Sequence, residues 1–141
     1  MSEIIHHPVI SVSEITRPTY LEISLSTLKA NFELIRNQVS PAKIMTIVKA
    51  NAYGHGLIKV AQLYQELNTD YFGVAVLEEG LLLREHGITK PILVLGGILS
   101  DQIPLFIKND LTITASSGGK LDQIDSIAET LKTKAKVHLK K

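Results

Sequence analysis

From residue 43 onward the chain repeats one theme: an apolar strand, a turn and an amphipathic helix. That alternation restricts the fold more than any single residue does. Strands are predicted over 43–49, 71–76, 91–95, 111–114 and 135–139. Helices are predicted between them, near 56–67 (Leu57, Val60, Ala61, Tyr64, Leu67), 78–86, 101–109 and 120–132 (Leu121, Ile124, Ile127, Leu131). Each connection is long enough for a crossover helix, which parallel pairing requires. Several strands run nearly unbroken in Val, Ile and Leu, as expected when both faces of a sheet are covered. The pattern gives an α/β fold with about five parallel strands. By itself it does not separate an open doubly wound sheet from part of a closed barrel.

Ahead of this repeat, Tyr20, Glu22 and Ser24 alternate with Leu21, Ile23 and Leu25, which predicts a half-exposed strand. Ser26 then serves as the expected N-cap of a helix whose apolar stripe is Leu28, Phe32, Ile35 and Val39, closed by Pro41. Residues 1–16 are weakly patterned and are expected to form a loose leader.

The 141 residues suit one domain with a real core. A net charge of +1 with interspersed signs gives no electrostatic footprint for nucleic acid or an anionic membrane. Cysteine is absent, so the chain does not depend on an oxidising compartment. The start lacks the basic-then-apolar order of a secretion signal, and no segment is long enough to span a bilayer. A cytoplasmic protein is the simplest expectation.

Within the first repeat, residues 47–56 read Ile-Val-Lys-Ala-Asn-Ala-Tyr-Gly-His-Gly. Lys49 ends an apolar strand (Ile44, Met45, Ile47, Val48), where strand parity places it with Met45 and Ile47 on one face and Thr46 and Val48 on the other. A lysine at the mouth of a packed sheet is partly desolvated. Desolvation disfavours the ammonium and frees the amine, which Schiff-base chemistry with a carbonyl cofactor requires. Taken alone, a strand-end lysine is ordinarily a solvent-reaching side chain. Tyr53 has a ring that packs and a hydroxyl that donates, suited either to a phosphate or to a turn. Gly54 and Gly56 permit a tight turn.

This run resembles the pyridoxal-phosphate attachment segment of alanine racemases. The likeness extends to Arg17-Pro-Thr-Tyr-Leu-Glu-Ile-Ser-Leu25 and Leu28-Lys-Ala-Asn31 upstream. Downstream it continues through Phe72-Gly-Val-Ala-Val76, Glu78-Glu79, Leu83-Arg84, Ile92-Leu-Val-Leu-Gly96 and Val137-His-Leu-Lys140, in the family's order and at its approximate spacing. The resemblance implies the N-terminal portion of a (β/α)8 barrel, spanning 17–141 and opened by one strand that joins the family's C-terminal β domain. It implies pyridoxal 5'-phosphate as cofactor and alanine as substrate, with D-alanine destined for cell-wall peptidoglycan and a homodimer as the working state. Lys49 would hold the cofactor and act as one of two bases, Tyr53 would bind its phosphate, and Leu95 would pack against its pyridine ring. Lys140 would act indirectly on substrate, by orienting an arginine a few residues later. The second base, a tyrosine of the family's C-terminal domain, is not among these residues, nor is the rest of the phosphate grip. The 141 residues alone are therefore expected to be inactive. A catalytically silent scaffold that binds pyridoxal phosphate or a partner is the alternative from a different class, and a small open sheet complete in itself is a third.

Other residues carry less. Ser116-Ser-Gly-Gly119 reads as a turn before a helix, and Gly96-Gly97 lacks a dinucleotide fingerprint's spacing. Glu78 or Glu79 with Arg84 reads as a surface ion pair of small energetic value. His55 reads as a loop residue. No metal site is expected, since His6 and His7 are merely adjacent.

Overall fold

The computed structural model describes residues 21–140. The expected leader at 1–16 and the first part of the expected opening strand lie outside the described residues. Where the chain enters view, Leu21–Ser24 has no regular structure, and Leu25 already belongs to a helix. That helix, α1 (Leu25–Val39), is capped by Ser24 rather than Ser26. The Ser24 hydroxyl accepts from the Thr27 amide at 3.2 Å, the reach an N-cap side chain has to the third residue beyond it.

Five short strands follow: β1 (Met45–Ile47), β2 (Tyr71–Val74), β3 (Ile92–Val94), β4 (Leu111–Ala115) and β5 (Val137–Leu139). All four pairings are parallel, and the spatial order is the chain order, β1-β2-β3-β4-β5. A doubly wound sheet reverses direction at a switch point. Here every βα unit adds its strand on the same side, which is how a barrel is built. The connections are a single turn α2 (Lys49–Tyr53) with α3 (Leu57–Glu66), then α4 (Leu77–Glu85), a 3₁₀ turn (Ser100–Gln102) with α5 (Ile103–Lys108), and α6 (Gly118–Thr130). Four of the strands are shorter than their apolar runs predict, whereas β4 runs one residue past its predicted end. The flanking residues of those four runs belong to loops that enter or leave the helices.

Strand parity sorts the core. Phe72, Val74, Ile92, Val94, Leu111 and Ile113 face the helices and are almost wholly buried with Val60, Leu83, Ile103 and Phe106. A large apolar side chain so buried contributes about 1.5–3 kcal/mol. The opposite, inner face carries Met45 and Ile47, Tyr71 and Gly73, Leu93, and Thr112 and Thr114. Tyr71 and Thr112 hydrogen-bond to each other across β3 on this face.

The amino-terminal ends of the strands are tied by polar side chains. Asp70 accepts from the Ile44 amide at 2.8 Å and from Arg36 at 2.7 Å. Arg84 donates to four carbonyls, those of Ile88 (2.6 Å), Lys90 (2.9 Å), Asn109 (3.0 Å) and Asp110 (3.0 Å). Lys90 and Asp110 lead into β3 and β4, so the guanidinium staples two loops beneath the sheet. The expected surface pair of Glu78 or Glu79 with Arg84 is thus corrected. Arg84 sits at the last turn of α4 and Glu79 at the first, so the two serve opposite ends of the sheet.

Candidate active site

The carboxyl end of the sheet gathers the residues singled out from sequence. Lys49 is the first residue after β1 and its cap Val48, and it is partly buried. Val48 donates its amide to the Gly73 carbonyl at 2.9 Å and is buried on the helix side. Next door, the Leu95 amide bonds the Val74 carbonyl and the Gly96 amide the Ala75 carbonyl, so the ladder continues past β2 and β3 to the rim.

Past Lys49 the backbone departs from ordinary geometry. Ala50, Asn51, Ala52 and Tyr53 have φ of 52°, 56°, 52° and 54°, which makes α2 a left-handed turn. Each non-glycine residue in that region costs about 1–2 kcal/mol. Strain of this kind persists only where the surroundings hold it. Asparagine visits this region more readily than most residues, whereas the two alanines and Tyr53 carry the full cost of their Cβ. The turn is fixed by its own bonds, Ala52 amide to Val48 carbonyl (2.8 Å) and Gly54 amide to Ala50 carbonyl (3.2 Å). Gly54 then continues at φ 87°. Asn51 accepts from the Leu57 amide at 2.8 Å and so caps α3, a role the sequence reading did not assign. His55, expected as a loop residue, places its Nδ1 2.9 Å from the Ala52 carbonyl.

Glu79 is the other residue the reading missed at this end. One carboxylate oxygen accepts from the Ala50 amide at 2.6 Å, the other from the Ala75 amide at 2.7 Å and the Val76 amide at 3.4 Å. An acid three residues into a helix after an apolar strand is the sequence signal for the second contact. Nothing local to α4 signals the first.

Tyr53 is 61 % exposed at the end of the left-handed turn. Leu95 is partly buried and shares the inner face with Ile47 and Met45. A Cβ at Gly73 would meet Ile47 Cδ1 at 2.5 Å, Met45 Sδ at 3.5 Å and Leu95 Cδ1 at 3.6 Å, so these three side chains close over the bare Gly73 backbone and make this inner face apolar. Ile47 and Leu95 offer the apolar surface a flat ring requires, and the Lys49 amine, carried at the same end of the sheet, suits a carbonyl group. Lys140 is exposed, with its amide bonded to the Ala115 carbonyl at 2.9 Å. It lies past β5, four strand spacings from β1, or about 19 Å along the sheet. Lys49, Tyr53 and Leu95 thus share one end of the β1–β3 region, and Lys140 stands apart on the far edge. A cavity of about 510 Å³ between α6 and β5 is lined by none of these four.

The strand order and the rim lysine define a class, the amino-terminal part of a (β/α)8 barrel whose chemistry lies at the carboxyl ends of its strands. Residues 23–141 match the family model for the alanine racemase N-terminal domain. An alanine racemase of Halothermothrix orenii is 43 % identical over 127 residues, covering 89 % of this chain and 34 % of its own length. A crystallised alanine racemase of Clostridium difficile 630, in complex with cycloserine, superposes with a TM-score of 0.84 at 42 % identity over 89 % of this chain and 34 % of that one. A histidine racemase of Leuconostoc mesenteroides superposes with a TM-score of 0.75 at 29 % identity, over 80 % of this chain and 30 % of its own. The chain belongs to the alanine racemase family, as part of its N-terminal barrel domain. It spans about a third of the length of the relatives it matches.

Proposed function

We propose that these residues carry the cofactor lysine of a pyridoxal 5'-phosphate-dependent racemase that interconverts L- and D-alanine. The observation that supports this most is the placement of Lys49: two residues past the end of the first barrel strand, partly buried, at the same end of the sheet as Leu95, and followed by a strained turn. The bound cofactor would supply an electron-withdrawing ring that takes up the electron pair left when the α-proton of the amino acid departs. Lys49 would hold that cofactor through its amine, then exchange the α-proton on one face of the substrate. Tyr53, exposed at the end of the turn, would donate its hydroxyl to the phosphate. Leu95 would cover one side of the ring, and Lys140 would act on the substrate only through a residue it orients.

One base on one face removes a proton and returns it to the same face. Racemisation therefore needs a second base, which the family takes from its C-terminal domain across a homodimer. On this reading the 141 residues bind and do not turn over, whereas the whole enzyme works in the cytoplasm and feeds D-alanine to peptidoglycan. Among the described residues no helix is long and apolar enough to cross a membrane.

Incubating the chain with pyridoxal 5'-phosphate, reducing with borohydride and mapping the adduct by peptide mass spectrometry tests the assignment. The expected result is an adduct on Lys49 that Tyr53→Phe weakens. In a full-length enzyme carrying this domain, Lys49→Ala should abolish D-alanine formation from L-alanine. Unchanged turnover in that variant would remove the proposal.

A further inference from the structure

The Glu79 carboxylate joins two loops that no other side-chain bond connects among the described residues: the turn after β1 and the loop after β2. Its bond to Val76 is what an acid at this helix position ordinarily makes toward its own cap. The 2.6 Å bond to Ala50, 29 residues earlier, is not required by α4. Ala50 is the first residue of the left-handed turn, and its amide belongs to the peptide plane that it shares with Lys49. Later amides of the turn find acceptors inside it, those of Ala52 and Gly54 at Val48 and Ala50. The Ala50 amide finds its acceptor in Glu79. A charged acceptor makes a short, strong bond, placed where the backbone carries its strain.

We propose that Glu79 is a positioning residue for Lys49, setting the backbone from which the amine reaches its carbonyl partner. It does so by clamping the Ala50 amide with one oxygen and the Ala75 amide with the other. This rests on the reading of Lys49 as the cofactor lysine. Glu79 touches neither cofactor nor substrate, and it acts through the peptide that follows Lys49. An isosteric amide cannot replace it. Glutamine keeps one acceptor oxygen but turns a donor NH2 toward the other backbone N–H, so one of the two loops is released.

The test uses the full 141-residue chain and pyridoxal 5'-phosphate. The lysine amine adds to the aldehyde carbon, water leaves, and borohydride delivers hydride to the resulting C=N, giving a stable secondary amine. Labelling at Lys49 is measured against the exposed Lys29 and Lys59 in the same sample, across pH. In Glu79→Gln, Lys49 labelling should fall by about tenfold, the scale on which small misplacements act. Lys29 and Lys59 should be unchanged, and the circular-dichroism melt should stay cooperative. Glu78→Gln should match the parent. Equal Lys49 labelling in Glu79→Gln and parent overturns the positioning role, as does a loss that merely tracks the unfolded fraction. No preference for Lys49 in the parent instead sinks the cofactor assignment, and the positioning role with it. Amide exchange in the parent gives a check without any variant. Protection at Ala50 is expected, and exchange there at the rate of an open loop would refute the clamp.

Discussion

Replacing Arg84 with leucine removes the guanidinium that holds the carbonyls of Ile88, Lys90, Asn109 and Asp110. A hydrogen bond to a charged group contributes about 1.5–3 kcal/mol when its partner is left in place. Asp110 is exposed and its carbonyl can turn to water, whereas Ile88 is 1 % exposed and its carbonyl has little access. Counting two of the four bonds as lost without replacement gives a destabilisation of about 3–6 kcal/mol, a large share of the 5–15 kcal/mol typical of a domain. Burial is also the main influence on the arginine itself, pulling its pKa below the ordinary value, with Asp110 and then Tyr71 opposing. The chain has no tryptophan, so urea unfolding followed by far-ultraviolet circular dichroism is the suitable assay. Arg84→Lys should recover less than half of the loss, because an ammonium lacks the planar fork that spans two loops. An exposed ion pair would be worth no more than about 1 kcal/mol. A shift below that value in Arg84→Leu would therefore refute the staple and restore the surface-pair reading.

Three further outcomes follow from the same contacts. The Ile44 amide and then Arg36 hold the Asp70 carboxyl below its ordinary 3.8. The unfolded chain therefore takes up a proton first, and the stability Asp70 confers is full above that value and lost as pH falls through the depressed one. Melting profiles of Asp70→Asn between pH 6 and pH 2 should show a flatter acid limb than the parent, and parallel limbs would count against it. Asn51→Ala removes the cap on the Leu57 amide and puts alanine at φ 56°, so a loss of about 1–2 kcal/mol is expected in the same urea assay. A neutral result would mean that water caps α3 equally well. Gly73→Val drives a Cβ to within 2.5 Å of Ile47 Cδ1 and so displaces the apolar inner face of Ile47, Met45 and Leu95; it should weaken labelling of Lys49 by pyridoxal 5'-phosphate while costing about 1–3 kcal/mol in stability. Undiminished labelling would place the ring elsewhere.

The order of strands and helices was legible because it follows from hydrophobic period. Runs such as Ile92-Leu-Val-Leu95 announce a strand covered on both sides, and Leu57, Val60, Ala61 and Tyr64 announce a helix face. The boundaries were less so. The apolar Ile44 and Val48 flank β1 without belonging to it, so the run overstates the strand. Ser24 and Ser26 are both good caps, and composition gives no preference between them. Barrel and open sheet have identical periods, and only the pairing order separates them.

The rim of the site shows why the rest was hidden. Ala50, Asn51 and Ala52 include the best formers of the right-handed helix, yet they wind the other way. Propensity measures what a residue does when its neighbours are water, and beyond its own bonds the left-handed turn is held by two partners outside it, the Leu57 amide and Glu79. Of these, Glu79 lies 29 residues away on another helix. Its neighbour Glu78 has the same charge, and the helix position that aims Glu79 at its own cap does not single it out as the partner of Ala50. The distinction arises only when β2 pairs beside β1 and brings the start of α4 over the peptide that follows Lys49. Residues that react can be recognised from their type and the run around them. Residues that hold them in place are specified by tertiary contacts, and this is the part of a site that a single sequence leaves unread.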